Sequence, residues 1–172
     1  MRGFIREALT TILLALVIFL GLQVTIQSSI VLGSSMEPNF ETGQRLIVDK
    51  VTYRFGDVKR GDVVILRPPS NSSVDYIKRV IALPGETVEI KDGLVYIDGK
   101  TLSEPYILDP PRYAMKSVDV PQGYCFVLGD NRNSSNDSHI WGPLPLDNIG
   151  GKVWISIWPP DDWGITPNYF QD

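Results

Sequence analysis

Three stretches of this 172-residue chain hold residues that could do chemistry. The first is "GSSMEPNF", residues 33–40, with two serines between a glycine and a proline that stops any helix from running on. A serine hydroxyl is a weak nucleophile and needs a base beside it. The usual base is histidine, and the chain has one, His139, in "SHIW". A Ser35–His139–Asp arrangement is arithmetically open, but nothing around His139 supports it independently. The other base is lysine, which must be neutral to accept a proton and has an ordinary pKa of about 10.4. Burial lowers that value because desolvation penalises the charged form. Lys59, Lys91 and Lys100 sit among turns and charges. Lys78, in "YIKRVIALPGE" (76–86), has apolar neighbours. Strand alternation puts Lys78, Val80 and Ala82 on one face and Ile77, Arg79 and Ile81 on the other. On spacing alone, a lysine snorkelling from an amphipathic strand is the better account. The third stretch, "GDNRNSSNDSHIWG" (129–142), is dense in Asp, Asn, Ser and Gly directly after the apolar "YCFVL". It reads as a polar turn with local side-chain-to-backbone bonds, or as a loop that orients a catalytic group.

The elements that must position these residues are mainly strands. "QRLIVDKV", "GDVVILRP", "DYIKRVIAL", "TVEIKDGLVYIDGKTL", "GYCFVLGD" and "GKVWISIWPP" are short apolar runs bounded by Gly, Pro, Asp and Asn. Asp92-Gly93 and Asp98-Gly99 predict tight hairpin turns, where glycine supplies the positive φ. No segment after residue 40 has a helical period. The expectation is an all-β domain of folded antiparallel sheets, sandwich or barrel-like. "RPPSNSSVD" (67–75) reads as a flexible loop and "LSEPYILDPPRY" (102–113) as a Pro-rich excursion, a candidate flap.

The N-terminus differs. From Ala8 to Leu32 no residue is charged. At about 1.5 Å per residue such a run crosses a hydrocarbon core of about 30 Å. The alternative is a cleaved secretory signal, whose apolar region is usually about 7–15 residues. This run is at or beyond that length, and a retained anchor is the reading taken. Arg2 and Arg6 precede it, which the positive-inside rule reads as a cytoplasmic N-terminus. The expected organisation is therefore a cytoplasmic stub 1–7, a single transmembrane helix 8–30 and an extracytoplasmic β domain 31–172.

Charge and composition narrow the classes. A formal net charge of −4 argues against a phosphate-binding face and hence against nucleic acid. One cysteine, Cys125, excludes an intrachain disulfide, and one cysteine with one histidine excludes a Cys/His zinc site. Cys125 in "YCFVL" reads as a small buried hydrophobe. Asn-x-Ser sequons at Asn71, Asn133 and Asn136 matter only in a eukaryotic secretory setting.

Taken together, "GSSMEP", "GDVVIL", "YIKRVIALPGE" and "GDNRNSSNDSHIWG" resemble, in order and separation, the motifs of the type I signal peptidases. These are membrane-anchored Ser-Lys enzymes that remove signal peptides from exported proteins. The resemblance covers the anchor and nearly all of the β domain. It implies that Ser35, the serine before methionine, is the nucleophile and Lys78 the general base. It implies that Ser135 hydrogen-bonds and orients the lysine amine, and that Asp130 and Asp137 help hold the site. Arg79 is expected to pair with one of these aspartates on the strand face away from Lys78. His139 stands where the family often has arginine, so Asp137 is expected to lean on Arg79. Gly33 stands where some members have a serine that helps stabilise the oxyanion, which leaves backbone N–H groups for that task.

The implied reaction cleaves preproteins after small residues at the −1 and −3 positions, near the membrane surface. No cofactor or metal is implied. Val31, Met36 and Ile77 are expected to line the shallow pockets. The partners are signal peptides of exported preproteins and membrane lipid, on the periplasmic or lumenal side. Trp154, Trp158 and Trp163 are candidates for contact with the interface or for packing. Rival readings are a cytosolic self-cleaving Ser-Lys regulator, an inactive anchored adaptor, and a Ser-His enzyme using His139. The N-terminal run argues against the first.

Overall fold

The computed structural model describes residues 2–69 and 74–170. The Asn71 sequon and the middle of the 67–75 loop lie outside them. Helix α1 spans Arg2–Thr25. Its segment Gly3–Thr25, 23 residues of mean hydropathy 2.3, is not buried against the protein, and it is long and apolar enough to cross a membrane. The uncharged run expected as one span, 8–30, divides at Thr25. Ile26–Ile30, "IQSSI", is strand β1, because the two serine side chains compete with helical backbone bonds and a partner strand is at hand. That partner is β2, Arg45–Asp49, paired antiparallel from Ile26 opposite Asp49 to Ile30 opposite Arg45.

The remaining strands are β3 (Val63–Leu66), β4 (Tyr76–Ala82), β5 (Thr87–Lys91), β6 (Leu94–Ile97), β7 (Lys100–Thr101), β8 (Met115–Asp119), β9 (Tyr124–Leu128), β10 (Leu144–Pro145), β11 (Ile149–Trp158) and β12 (Gly164–Ile165). Among the described residues they form two antiparallel sheets. The larger runs β1-β2-β11-β3-β4-β9-β10, with β12 on β11, and the smaller runs β7-β6-β5-β8. The mainly β fold expected from the sequence is present. Strands β1, β8, β10 and β12 were not anticipated. One-turn helices α2 (Thr52–Phe55) and α3 (Ser138–Trp141) sit in connections. Both Asp-Gly turns form as expected. Asp92 and Gly93 have φ of 51° and 75°, and Asp98 and Gly99 have 50° and 75°, joining Lys91 to Leu94 and Ile97 to Lys100.

Strand β4 ties the core together. Ile77 packs with Val31, Met36, Leu46 and Ile65. Val80 packs with Val64, Cys125, Val127 and Leu144. Ile81 and Ala82 pack with Val88, Ile90, Phe126 and Leu128, between the two sheets. Every residue from Ile77 to Ala82 is therefore buried, on both faces of the strand. Cys125 belongs to this core, and burial pushes its thiol up to about 12, so it is an inert hydrophobe. Trp154, Trp158 and Trp163 are exposed rather than packed in the core.

The Pro-rich excursion 102–113 is fastened down. Glu104 takes two bonds from Arg132, at 2.7 and 2.6 Å, and accepts from the Tyr106 hydroxyl. Both charged side chains are buried. Arg132 Nε also donates to the Gly129 carbonyl. A buried pair with one partner removed leaves a naked charge, costing about 3–5 kcal/mol. Arg132→Leu is expected to lose that much in urea denaturation of the detergent-solubilised protein. Arg132→Leu with Glu104→Leu is expected to recover a large part of it, because both charges are then gone.

Candidate active site

Ser35 lies five residues past the end of β1. Its turn is closed by N–H bonds from Glu37 to the Ser34 carbonyl and from Asn39 and Phe40 to the Met36 carbonyl. The Met36 side chain points inward and is fully buried. It fills the space beneath the turn, so it does not line the cleft as expected. Asn131 pins the turn from above. Its N–H donates to the Ser35 carbonyl and its side-chain amide to the Ser34 carbonyl. Nothing in the sequence distinguishes Asn131 from the other two asparagines of this polar loop.

Lys78 Nζ lies 2.8 Å from Ser35 Oγ and donates to the Ile77 carbonyl at 2.8 Å. The lysine is 3% exposed. Burial on the doubly covered strand lowers its pKa from 10.5 to about 8, against the smaller opposing pull of Asp137 and Asp130. A neutral amine beside a serine hydroxyl can take its proton, which is what nucleophilic attack requires.

Arg79 lies one residue on and faces away from the amine. Its guanidinium binds Asp130 through two bonds, Nε to Oδ1 at 2.8 Å and Nη2 to Oδ2 at 2.7 Å, with both side chains fully buried. Asp137 does not lean on Arg79. It accepts from the Gly129 N–H through Oδ2, caps α3 by accepting from the His139 N–H, and bonds the His139 ring at 2.6 Å. An imidazole in place of a guanidinium is thus sufficient to engage this carboxylate. The ring also stacks on Tyr113, with centroids 4.1 Å apart. His139 is committed to Asp137 and Tyr113, whereas Ser35 Oγ has Lys78 beside it. The Ser-His arrangement is therefore not the one the geometry offers.

Ser135 also departs from expectation. Its hydroxyl is buried without a hydrogen-bond partner, and the second bond of the lysine amine goes to the Ile77 carbonyl instead. Ser135 is nonetheless packed against the site. A Cβ on Gly129 would strike both Ser135 Oγ and the Ser35 carbonyl oxygen. At Gly33 nothing approaches an added Cβ within 4 Å, but φ is 85°, a region that favours glycine.

A cleft of about 280 Å³ opens onto Ser35 and Lys78. Val31 and Ile77 line it, with Leu46 and Ile65 as an apolar floor. Two strand edges flank it. β1 ends the large sheet, and β9 pairs with β4 only from Arg79 onward, leaving Tyr76–Lys78 unpaired on that side.

Residues 4–158 match the family described as signal peptidase, peptidase S26. The chain belongs to this family. It is 45% identical over 169 residues to a probable signal peptidase I-1 of Synechocystis sp., covering 94% of this chain and 86% of that one. It is 40% identical over 176 residues to a signal peptidase I of Leptolyngbya laminosa, covering 96% and 87%. The crystal structure of a signal peptidase I from Enterococcus faecalis superposes with a TM-score of 0.51 at 33% identity, over 56% of this chain and 97% of that one. The protein is accordingly a peptidase of the signal peptidase I type.

Gly129 tests how tightly this site is built. A methyl group there would push apart Ser135 and the Ser35 peptide, and a displacement of about 1 Å costs about 10²-fold in rate. Gly129→Ala is expected to keep its circular-dichroism spectrum and lose peptidase activity by at least about that factor.

Proposed function

We propose that this protein is a membrane-anchored signal peptidase that cleaves exported preproteins after small-x-small sites, with Ser35 as nucleophile and Lys78 as general base. The observation that carries the reading is the 2.8 Å approach of a buried lysine amine to Ser35 Oγ. The substrate chain lies extended in the cleft and adds to the β1 and β4 edges, so its main chain is held by backbone bonds. The apolar floor accepts small side chains at −1 and −3 because the buried Met36, Leu46 and Ile65 leave little depth.

Neutral Lys78 takes the Ser35 proton as Oγ attacks the scissile carbonyl. The Ser35 N–H supports the developing oxyanion. Lys78 then protonates the leaving amine as the peptide bond breaks. It next takes a proton from water, which attacks the acyl-serine, and returns a proton to Ser35 Oγ as the ester bond breaks, releasing the signal peptide with its new carboxylate. The amine supplies all the proton transfer, and the scheme calls on no metal or cofactor. Asp130, Arg79, Asp137 and Ser135 hold the walls around these two groups.

The anchor α1 carries the N-terminus on the cytoplasmic side and the β domain on the other. The exposed Trp154, Trp158 and Trp163 are suited to the lipid headgroup layer.

Purified protein in detergent is expected to cut a preprotein with an Ala-x-Ala site, read by mass spectrometry of the new N-terminus. Ser35→Ala and Lys78→Ala are expected to fall by at least about 10³-fold in kcat, while His139→Ala falls less than about tenfold. Cleavage that survives Lys78→Ala removes the dyad. The free-enzyme base must be deprotonated to act, so kcat/KM is expected to rise with pH along a limb centred near 8. A limb centred near 6.5, the ordinary range of histidine, would instead point to His139.

A further inference from the structure

The chain past β12 returns to the site. Residues 166–170 cross the buried Arg79–Asp130 pair, which lies behind Lys78, and both ends of this crossing are fastened. Near its start the Thr166 N–H donates to the Trp154 carbonyl. At its end Asn168 donates to the Arg60 carbonyl, and Phe170 packs edge-on against Tyr106 in the core between the sheets. The passage is close. A Cβ on Gly61 would strike both Asn168 and Phe170, and Gly61 holds a φ of 84°. Between these fastenings Pro167 offers its carbonyl to Arg79 Nη1 at 3.4 Å, and the Tyr169 ring lies 5.4 Å from the guanidinium carbon. The Tyr169 hydroxyl donates to Asn39 Oδ1, and the Asn39 amide donates to Asp130 Oδ2 at 2.9 Å and to the Tyr106 carbonyl. Tyr169 therefore touches the cation and also the amide that binds its carboxylate.

We propose that residues 166–170 form a strap that sets the environment of Lys78 from behind, with Tyr169 as a positioning residue acting through Arg79 and Asp130. The strap lies beyond residues 4–158, the segment matched by the family. The proposal rests on the Ser35–Lys78 reading for its consequence in catalysis, but not for its effect on the lysine. The charged groups acting on Lys78 are Asp137 and Asp130 of the 129–142 loop, with Asp130 neutralised by Arg79 of β4. Val64, opposite Lys78 on β3, is apolar. Removing the Tyr169 ring admits water beside β4 and loosens the guanidinium from Asp130. Both changes favour the protonated amine.

The test is a direct titration of Lys78 by NMR in detergent-solubilised protein labelled with 13C at lysine Cε. The signal is assigned by its loss in Lys78→Arg. Tyr169→Ala and Tyr169→Leu are expected to move the midpoint upward by about half a unit or more, while Tyr169→Phe keeps the ring and stays near wild type. Val95→Ala is the control for a merely structural role, because it removes core packing in the small sheet without touching Arg79 or the strap. It is expected to lower Tm and leave the midpoint unmoved. In activity, Tyr169→Ala is expected to lower kcat at pH 7.5 with KM little changed, and to shift the kcat/KM limb with the NMR midpoint. An unmoved midpoint in both Tyr169→Ala and Tyr169→Leu, or an equal shift in Val95→Ala, overturns the strap. Cleavage surviving Ser35→Ala or Lys78→Ala overturns the dyad instead, and leaves the NMR result to decide the strap alone.

Discussion

Two adjacent cations on a strand buried on both faces set the terms for this structure. Alternation sends Lys78 and Arg79 of β4 in opposite directions, and neither direction leads to water. The two are handled differently. Arg79 receives a carboxylate, two carbonyls and two aromatic rings, which compensate its charge. Lys78 receives a serine hydroxyl, one carbonyl and the Tyr76 ring but no carboxylate, and its burial favours the neutral form. The stability sign follows. The folded pKa lies near 8 against 10.5, so between these values the unfolded chain binds the proton more readily. Stability rises with pH across that window, and below it burial of the lysine costs the fold about 3 kcal/mol at about 1.36 kcal/mol per unit. A reactive amine is a destabilising feature, and the packing around β4 has to offset it.

That packing explains why the polar shell is dense. The 129–142 loop carries two buried carboxylates near an amine that must not be drawn into an ion pair. Asp130 is occupied by Arg79 and Asn39, and Asp137 by His139 and the Gly129 N–H. With their lone pairs engaged, both remain secondary to desolvation in setting the lysine. The imidazole at 139 takes one oxygen of Asp137 and leaves the other for Gly129. This pins the backbone where it passes Ser135 and the Ser35 peptide. Glu104 and Arg132 then hold the outer excursion against the same loop.

Local rules reached much of this architecture. Alternation separated Lys78 from Arg79, the Asp-Gly pairs gave both hairpins, and motif order singled out Ser35 together with Lys78. Interactions closed by distant residues were not legible. "IQSSI" continues an uncharged run, and only its pairing with β2 makes it a strand. Met36 sits beside the serine in sequence, yet a one-turn reversal aims it into the core. Asp137 chose His139, two residues away, over Arg79, because Asp130 already saturates the guanidinium. Ser135 stands at the expected place, but its hydroxyl is not the second partner of the amine. The C-terminal residues 166–170 show no periodicity, and their role emerges only from where β12 returns them.

The route from helix to site is also short and stiff. Ser35 lies ten residues past Thr25, and an extended chain covers at most about 3.3–3.6 Å per residue. The cleft therefore stands within about 35 Å of the helix end. Five of those ten residues are paired with β2, and Lys50 donates to the Thr25 carbonyl, so helix and sheet are joined without a flexible linker. A flexible tether would spread the site over a large volume, whereas this join fixes its distance from a helix long enough to cross a membrane. Under the function proposed above, a cleavable segment emerging beside the anchor would meet strand edges already in its layer. The gain is in effective concentration, and it needs no additional contact with the substrate.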